Sequence, residues 1–235
     1  MSMKRSAKLL ALAVALFAGF GTTTAQAEGF KIGADVVSSY VWRGTEFGDS
    51  PAIQPSLNYT FKNGVVVGAW GSYALEKNTV SSTTGDSYRY QEVDLSVTIP
   101  AGPFSLTAVD YYVPDLTRTN IKAFDFSKTG SNVVELQGAY ASGDLSLLAA
   151  VNVAGPDTNN AKYFEAGYKF YNKDGYSAKG VAGVGSKYFY GGVGGTEEKL
   201  ALVNTGISVA KDRYTASYVY NPISEKSNLV FMASF

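Results

Sequence analysis

The sequence predicts an all-β chain, an up-and-down antiparallel barrel of about twelve strands of roughly ten residues each, the length that crosses a membrane when tilted. Three observations carry this expectation: apolar residues recur at every second position beyond residue 28, short and long links alternate along the chain, and aromatic residues gather at one end of the strands. Composition narrows the field first. The 235 residues hold no cysteine and no histidine, which removes disulfides, thiolate metal sites, the usual general base and the commonest transition-metal ligand. No cofactor and no metal are expected. An apolar share of 46% with 17% charged residues is too oily for a disordered chain. A mean hydropathy of −0.03 is too polar for a bundle of membrane helices.

The first 27 residues read as a cleaved export signal. Lys4, Arg5 and Lys8 precede the apolar run Leu9 to Phe20, and Ala25-Gln26-Ala27 supplies the small residues a signal peptidase accepts. The apolar run is too short for a spanning helix, which needs about 20 residues. Removing this segment deletes three basic residues and no acidic one, leaving 17 basic against 20 acidic side chains over residues 28–235. A nucleic-acid partner calls for the opposite bias.

The strands follow in order. Phe30, Ile32, Ala34, Val36, Tyr40 and Trp42 share one phase of the first, opposite Lys31, Asp35 and Arg43. Ile53, Leu57, Tyr59 and Phe61 alternate with Gln54, Ser56, Asn58 and Thr60, and Val93 to Ile99 alternate with Glu92, Asp94, Ser96 and Thr98. Leu136 and Tyr140 oppose Glu135 and Gln137, Leu145 to Val151 oppose Ser146 and Asn152, and Phe164 to Phe170 oppose Glu165 and Lys169. Tyr214, Ala216, Tyr218 and Tyr220 oppose Arg213, Thr215 and Ser217. The pattern is weaker over 65–75, 104–113, 176–186, 200–210 and 228–235, each of which still fits a strand.

Tight links such as Lys62-Asn63-Gly64, Ser142-Gly143-Asp144 and Lys211-Asp212 are built from residues hairpins prefer. Longer links over 44–50, 76–87, 114–130, 154–160, 187–199 and 221–227 alternate with them, as they do when all turns lie at one end of a barrel and all loops at the other. At the short-turn end, the oily phase finishes with Phe30, Phe61, Phe104, Tyr140, Phe170, Tyr176, Tyr214 and Phe235, one half of an interfacial girdle. Trp42, Tyr73, Tyr112 and Tyr220 form a thinner ring at the other end. A terminal phenylalanine, Phe235, on an alternating strand resembles the signal read by the barrel-assembly machinery of Gram-negative bacteria.

Several blocks also resemble the TorF-like family of exported porin-type proteins. These are Ser38-Ser39-Tyr40-Val41-Trp42-Arg43-Gly44 with Pro51-Ala52-Ile53-Gln54-Pro55, and Gly68-Ala69-Trp70-Gly71-Ser72. Glu92-Val93-Asp94-Leu95, Asp110-Tyr111-Tyr112 and Tyr163-Phe164-Glu165-Ala166-Gly167-Tyr168 follow the same pattern. The resemblance is densest over residues 38–73 and implies an outer-membrane barrel acting as a channel, with no catalytic or ligand residues to carry over.

If the oily face meets lipid, Lys31, Asp35, Glu92, Asp94, Glu135, Glu165, Lys169 and Lys179 point inward. A polar pore for small solutes, lined by these residues and Arg43, is one expectation; a barrel filled by their mutual pairing is the other, because twelve strands fall between the packed eight and the open sixteen. Arg43 is expected at the mouth, either as a constriction or loop-anchoring charge or as a plain rim charge. Glu92 and Asp94 are the carboxylate pair an enzyme would need, though such a pair is commonplace on a polar strand face. Phe124, Asp125, Phe126 and Lys128 of the longest link could meet a partner or fold inward as a plug. The glycines of 191–195 lack the Lys-Ser/Thr of a phosphate loop. The functional expectation is passive diffusion of small polar solutes across the outer membrane of a Gram-negative bacterium; the alternative is a non-conducting barrel that presents its loops. A homo-oligomer is left open.

Overall fold

The computed structural model describes residues 28–157, 159–192 and 198–235. The expected export signal, and residues 193–195 of the glycine-rich stretch, lie outside them. Twelve strands close into one antiparallel barrel. In chain order they are β1 (Gly29–Val37), β4 (Ala52–Thr60), β5 (Val66–Ala74), β8 (Gln91–Ala101), β9 (Phe104–Tyr112), β10 (Asn132–Ser142), β11 (Leu145–Ala154), β12 (Lys162–Lys173), β13 (Tyr176–Ser186), β14 (Leu200–Lys211), β15 (Tyr214–Asn221) and β16 (Lys226–Ser234). Each pairs with its neighbour in sequence, and β1 closes on β16 through Asp35↔Ser234, Val36↔Ala233 and Val37↔Met232. Two small hairpins interrupt the meander, β2 (Tyr40–Trp42) with β3 (Thr45–Phe47), and β6 (Thr79–Val80) with β7 (Ser87–Tyr88).

The tight turns form because their residues accept left-handed backbone: Asp174 and Gly175 have φ of 54° and 78°, Gly143 58° and Asp212 53°. The link 222–225 between β15 and β16 is only four residues, shorter than expected for a loop over 221–227, because the ladder runs on to Asn221↔Lys226.

The oily phase faces outward. Phe30 and Ile32 are 74% and 78% exposed, and Leu57, Val97, Leu106, Leu136, Phe164, Tyr168, Ile207, Phe231 and Phe235 are exposed with them. Of the expected short-turn girdle, Phe30, Phe61, Phe104, Phe170, Tyr176, Tyr214 and Phe235 are exposed and Tyr140 partly so. One departure is Asp110, in the outward phase of β9, whose carboxylate receives the Asn132 amide at 2.9 and 3.1 Å. The buried apolar cluster lies inside the barrel: Ala139, Leu148, Ala150, Ala161, Tyr163, Tyr190 and Val203, with Trp42, Tyr188, Phe189, Ala201 and Ile223 packed against it.

The first strand ends at Val37, earlier than its alternation suggests. Tyr40 and Trp42, expected on its outer face, belong to the β2–β3 hairpin and pack inward. Period two continues through both elements, so the alternation alone does not mark where one strand stops and a separate hairpin begins. The longest link, 113–131, does not plug the barrel: Phe124 and Phe126 remain exposed.

Candidate functional site: the hairpin inside the barrel

The Arg43-Gly44 pair makes a two-residue turn with φ of 50° and 83°, the left-handed pair of a type I′ hairpin, and sets Trp42 opposite Thr45. Gly44 is required here, because a Cβ on it would lie 2.1 Å from the Val203 carbonyl oxygen of β14. Ser39 donates to the Glu46 carboxylate across the base of the hairpin. The hairpin dips into the barrel and reaches the walls around it. Tyr40 meets Trp70 of β5 with ring centroids 5.5 Å apart, Trp42 meets Tyr111 of β9 at 5.6 Å, and Gly44 abuts β14.

At the tip, the Arg43 guanidinium donates to both oxygens of Glu135 on β10, at 2.6 and 2.9 Å. It also donates to the Tyr190 hydroxyl at 2.8 Å and lies 4.3 Å from the Trp42 ring centre and 4.4 Å from that of Tyr163. Glu135 is fully buried and takes further bonds from Tyr111 Oη at 3.0 Å and Gln137 Nε2 at 2.7 Å. A carboxylate out of water needs such a complement of donors, and a planar guanidinium supplies two of them at once.

The helical turn α1 (Lys187–Tyr190), in the link between β13 and β14, completes this filling. Asn221 Nδ2 donates to the Tyr190 carbonyl at 2.8 Å, and the Tyr188 hydroxyl donates to Asp157 at 2.8 Å. Burial and the neighbouring Asp157 push the Tyr188 hydroxyl well above its ordinary value. Gly183 and Gly185 of β13 give the rings room: a Cβ on Gly183 would lie 2.1 Å from Tyr163 Oη, and one on Gly185 2.6 Å from Tyr190 Cδ2.

The wall residues Lys31, Asp35, Glu92, Asp94, Glu135, Glu165, Lys169 and Lys179 lie in the strand phase opposite the exposed oily rows, in two different settings. On the loop side Glu92 and Glu135 are buried, with Gln54, Ser72 and Asn152, and Asp94 is partly buried beside them. Glu92 accepts the Tyr90 hydroxyl at 2.8 Å, and one Asp94 oxygen is buried without a hydrogen-bond partner. Nearer the short turns Lys31, Lys169 and Lys179 keep partial exposure; Glu165, two residues on from Tyr163, is also partly exposed, and Asp35, paired with Gln54 on one side and Ser234 on the other, is buried. Arg43 departs from expectation: it is neither at the rim nor at the end of the first strand but deep in the interior, because the I′ turn carries it there.

Tyr111, Tyr163, Tyr190 and Asn204 were not legible as site residues. Tyr163 donates to Glu165 at 2.6 Å, and Asn204 donates to Tyr163 Oη at 3.0 Å and to Glu165 at 3.1 Å. The available signal was Tyr163 in the polar phase of β12, directly opposite Gly185 on the adjacent strand β13, with Gly183 opposite Glu165.

The family described as "Bacterial protein of unknown function (Gcw_chp)" matches residues 22–185. The chain belongs to this family. The match takes in β1 to β12, all but the last residue of β13, and the hairpin, including the densest blocks of the TorF-like resemblance at 38–73. No curated protein matches the chain. Among solved structures, a porin refined at 1.8 Å resolution is similar with a TM-score of 0.35 and 12% identity, covering 88% of this chain and 100% of that one.

Proposed function

We propose that this protein is a porin-type barrel of a Gram-negative outer membrane, a channel for small polar solutes that its own β2–β3 hairpin holds shut. The observation that carries this reading is the asymmetry of the interior. Oily rows face outward all round, and the polar inner face is partly open on the short-turn side and sealed on the loop side by Arg43, Trp42 and Tyr190. A wall of this kind costs least where hydrocarbon meets its outside and water its inside. The short-turn end would face the periplasm and the loops the cell exterior, as in outer-membrane barrels generally. Assembly through Phe235 belongs to the same proposal.

A second reading, a non-conducting barrel that displays its loops, is favoured by one observation: the closing residues form a buried, hydrogen-bonded ion pair rather than a loose loop. Planar-bilayer recording separates the two. The native protein is expected to show little conductance, and a variant in which residues 40–47 are replaced by a short Gly/Ser link is expected to conduct ions steadily. If that variant inserts, migrates on gels as a folded barrel and still passes no current, the channel reading fails and the anchor reading stands.

A further inference from the structure

Beneath the hairpin tip lies a cavity of ≈ 60 Å³ whose lining includes Arg43, Glu165, Lys179, Asn204, Ser208 and Ser217. The channel reading does not account for its chemistry. Asn204 is 6% exposed, and its Oδ1 is buried with no hydrogen-bond partner. Turning the amide over does not cure this. Tyr163 Oη spends its proton on Glu165, so both neighbours of the Asn204 nitrogen are acceptors and need its N–H groups. A buried acceptor left without a donor is costly, so this oxygen calls for a donor from outside the protein.

The opposite need sits one step below. Lys179 lies across Gly167 of β12, where a Cβ would come within 2.4 Å of its Cε and 2.8 Å of its Nζ. The missing side chain at Gly167 therefore seats the ammonium next to Glu165, the preceding inward residue of the same strand. Among the described residues the ion pairs are Arg43–Glu135 and Glu28–Lys62, so Lys179 and Glu165 share a cavity without closing on each other. Register places the hydroxyls of Ser208 and Ser217 in the same row as Lys179. A water takes about 10–15 Å³ of such a volume, so the space holds roughly four to six atoms of that size.

We propose that this cavity binds a small zwitterion of glycine size, its carboxylate on Lys179 and the Ser208 and Ser217 hydroxyls and its ammonium on Asn204 Oδ1 and Glu165. The proposal names the solute class for the channel reading and rests on that reading for its physiological sense, but binding itself needs no conduction. The test is calorimetric titration of the purified full-length barrel in detergent with glycine, acetate and methylammonium. Glycine is expected to bind about tenfold more tightly than either half-molecule. Lys179→Met is expected to weaken glycine about tenfold and abolish its advantage over methylammonium, and Glu165→Gln to abolish its advantage over acetate. Each variant is first shown to be folded by its gel migration. Equal affinity for glycine and acetate, or glycine binding untouched by Lys179→Met, overturns the proposal. Absence of current through the folded variant with residues 40–47 replaced, with glycine binding intact in the native protein, overturns only the channel.

Discussion

Arg43 and Glu135, 92 positions apart in the chain, meet inside the barrel through two parallel hydrogen bonds of 2.6 and 2.9 Å, with neither side chain more than 6% exposed. One comes from the tip of a hairpin and the other from the middle of the wall, so the contact fixes how deep the hairpin sits. Removing one partner strands a charge out of water, which costs about 3–5 kcal/mol, whereas removing both with apolar replacements of similar size is far milder. Arg43→Met is therefore expected to lower the unfolding free energy by about 3–5 kcal/mol, and Arg43→Met with Glu135→Leu to recover most of that loss. Urea unfolding in detergent followed by tryptophan fluorescence checks both; a double variant as weak as the single would show that the pair does not act as a unit.

The hairpin also depends on glycine at its turn. Gly44 combines φ of +83° with a Cβ position 2.1 Å from backbone, whereas Gly143 has φ of +58° and open space around it. Gly143→Ala is expected to cost only the left-handed backbone, about 1–2 kcal/mol. Gly44→Ala adds a clash with β14 that no side-chain rotation relieves, so its loss is expected to exceed that of Gly143→Ala by about 1–3 kcal/mol. Limited proteolysis between residues 38 and 51 offers an independent reading, since only the Gly44 variant is expected to become cleavable there.

At the loop end, Ser81 of the β6–β7 hairpin donates to Asp115 at 2.6 Å, and Thr117 donates to the same carboxylate through its amide at 3.0 Å and its hydroxyl at 2.7 Å. Slight burial works against ionisation of Asp115, but these donors outweigh it and hold the carboxyl below its ordinary 3.8. Since the folded value is the lower one, the contribution is present above the ordinary value and lost as pH falls through the depressed one. The two loops are expected to stay joined at pH 5 and to part only in stronger acid. Protection of the amides of residues 81–86, taken relative to intrinsic exchange at each pH, is expected to fall below the ordinary carboxylate range in the native protein, and to be low and unchanged across that range in Asp115→Asn.

The wall was legible in the sequence and its filling was not, for a physical reason. Rows such as Val93, Leu95, Val97 and Ile99 against Glu92, Asp94, Ser96 and Thr98 repeat a local rule, so each strand announces its faces without reference to the others. Turns such as Asp174-Gly175 are equally local. The pairing of Arg43 with Glu135, and the seat of Tyr190 against Gly185, depend on which walls face across the lumen, and that follows from strand number and stagger. A local hint was present in Tyr40-Val41-Trp42-Arg43-Gly44-Thr45-Glu46-Phe47: alternation on both sides of Arg-Gly is a hairpin pattern once Arg43 is granted a left-handed φ, which arginine seldom adopts.

The orientation of the oily rows supports every functional step, and it is open to a test that does not involve transport. Ala149 lies mid-strand in β11 in the outward phase, between Gly138 and Phe164 on the neighbouring strands, and Leu145 lies in the same phase beside the short turn. Four residues at about 3.4 Å each, tilted by about 40°, separate them by roughly 10 Å along the barrel axis. In a bilayer, an arginine at the midplane costs about 2–4 kcal/mol and one near the interface about 0–1. Ala149→Arg is therefore expected to destabilise the barrel in lipid vesicles by at least about 1–2 kcal/mol more than Leu145→Arg, measured by urea titration of gel-resolved folded protein. An exposed position on a water-soluble protein tolerates such a change within about 0.5 kcal/mol wherever it lies. Equal and small effects at both sites would place water, rather than hydrocarbon, against the outer face and leave the hairpin without a passage to close.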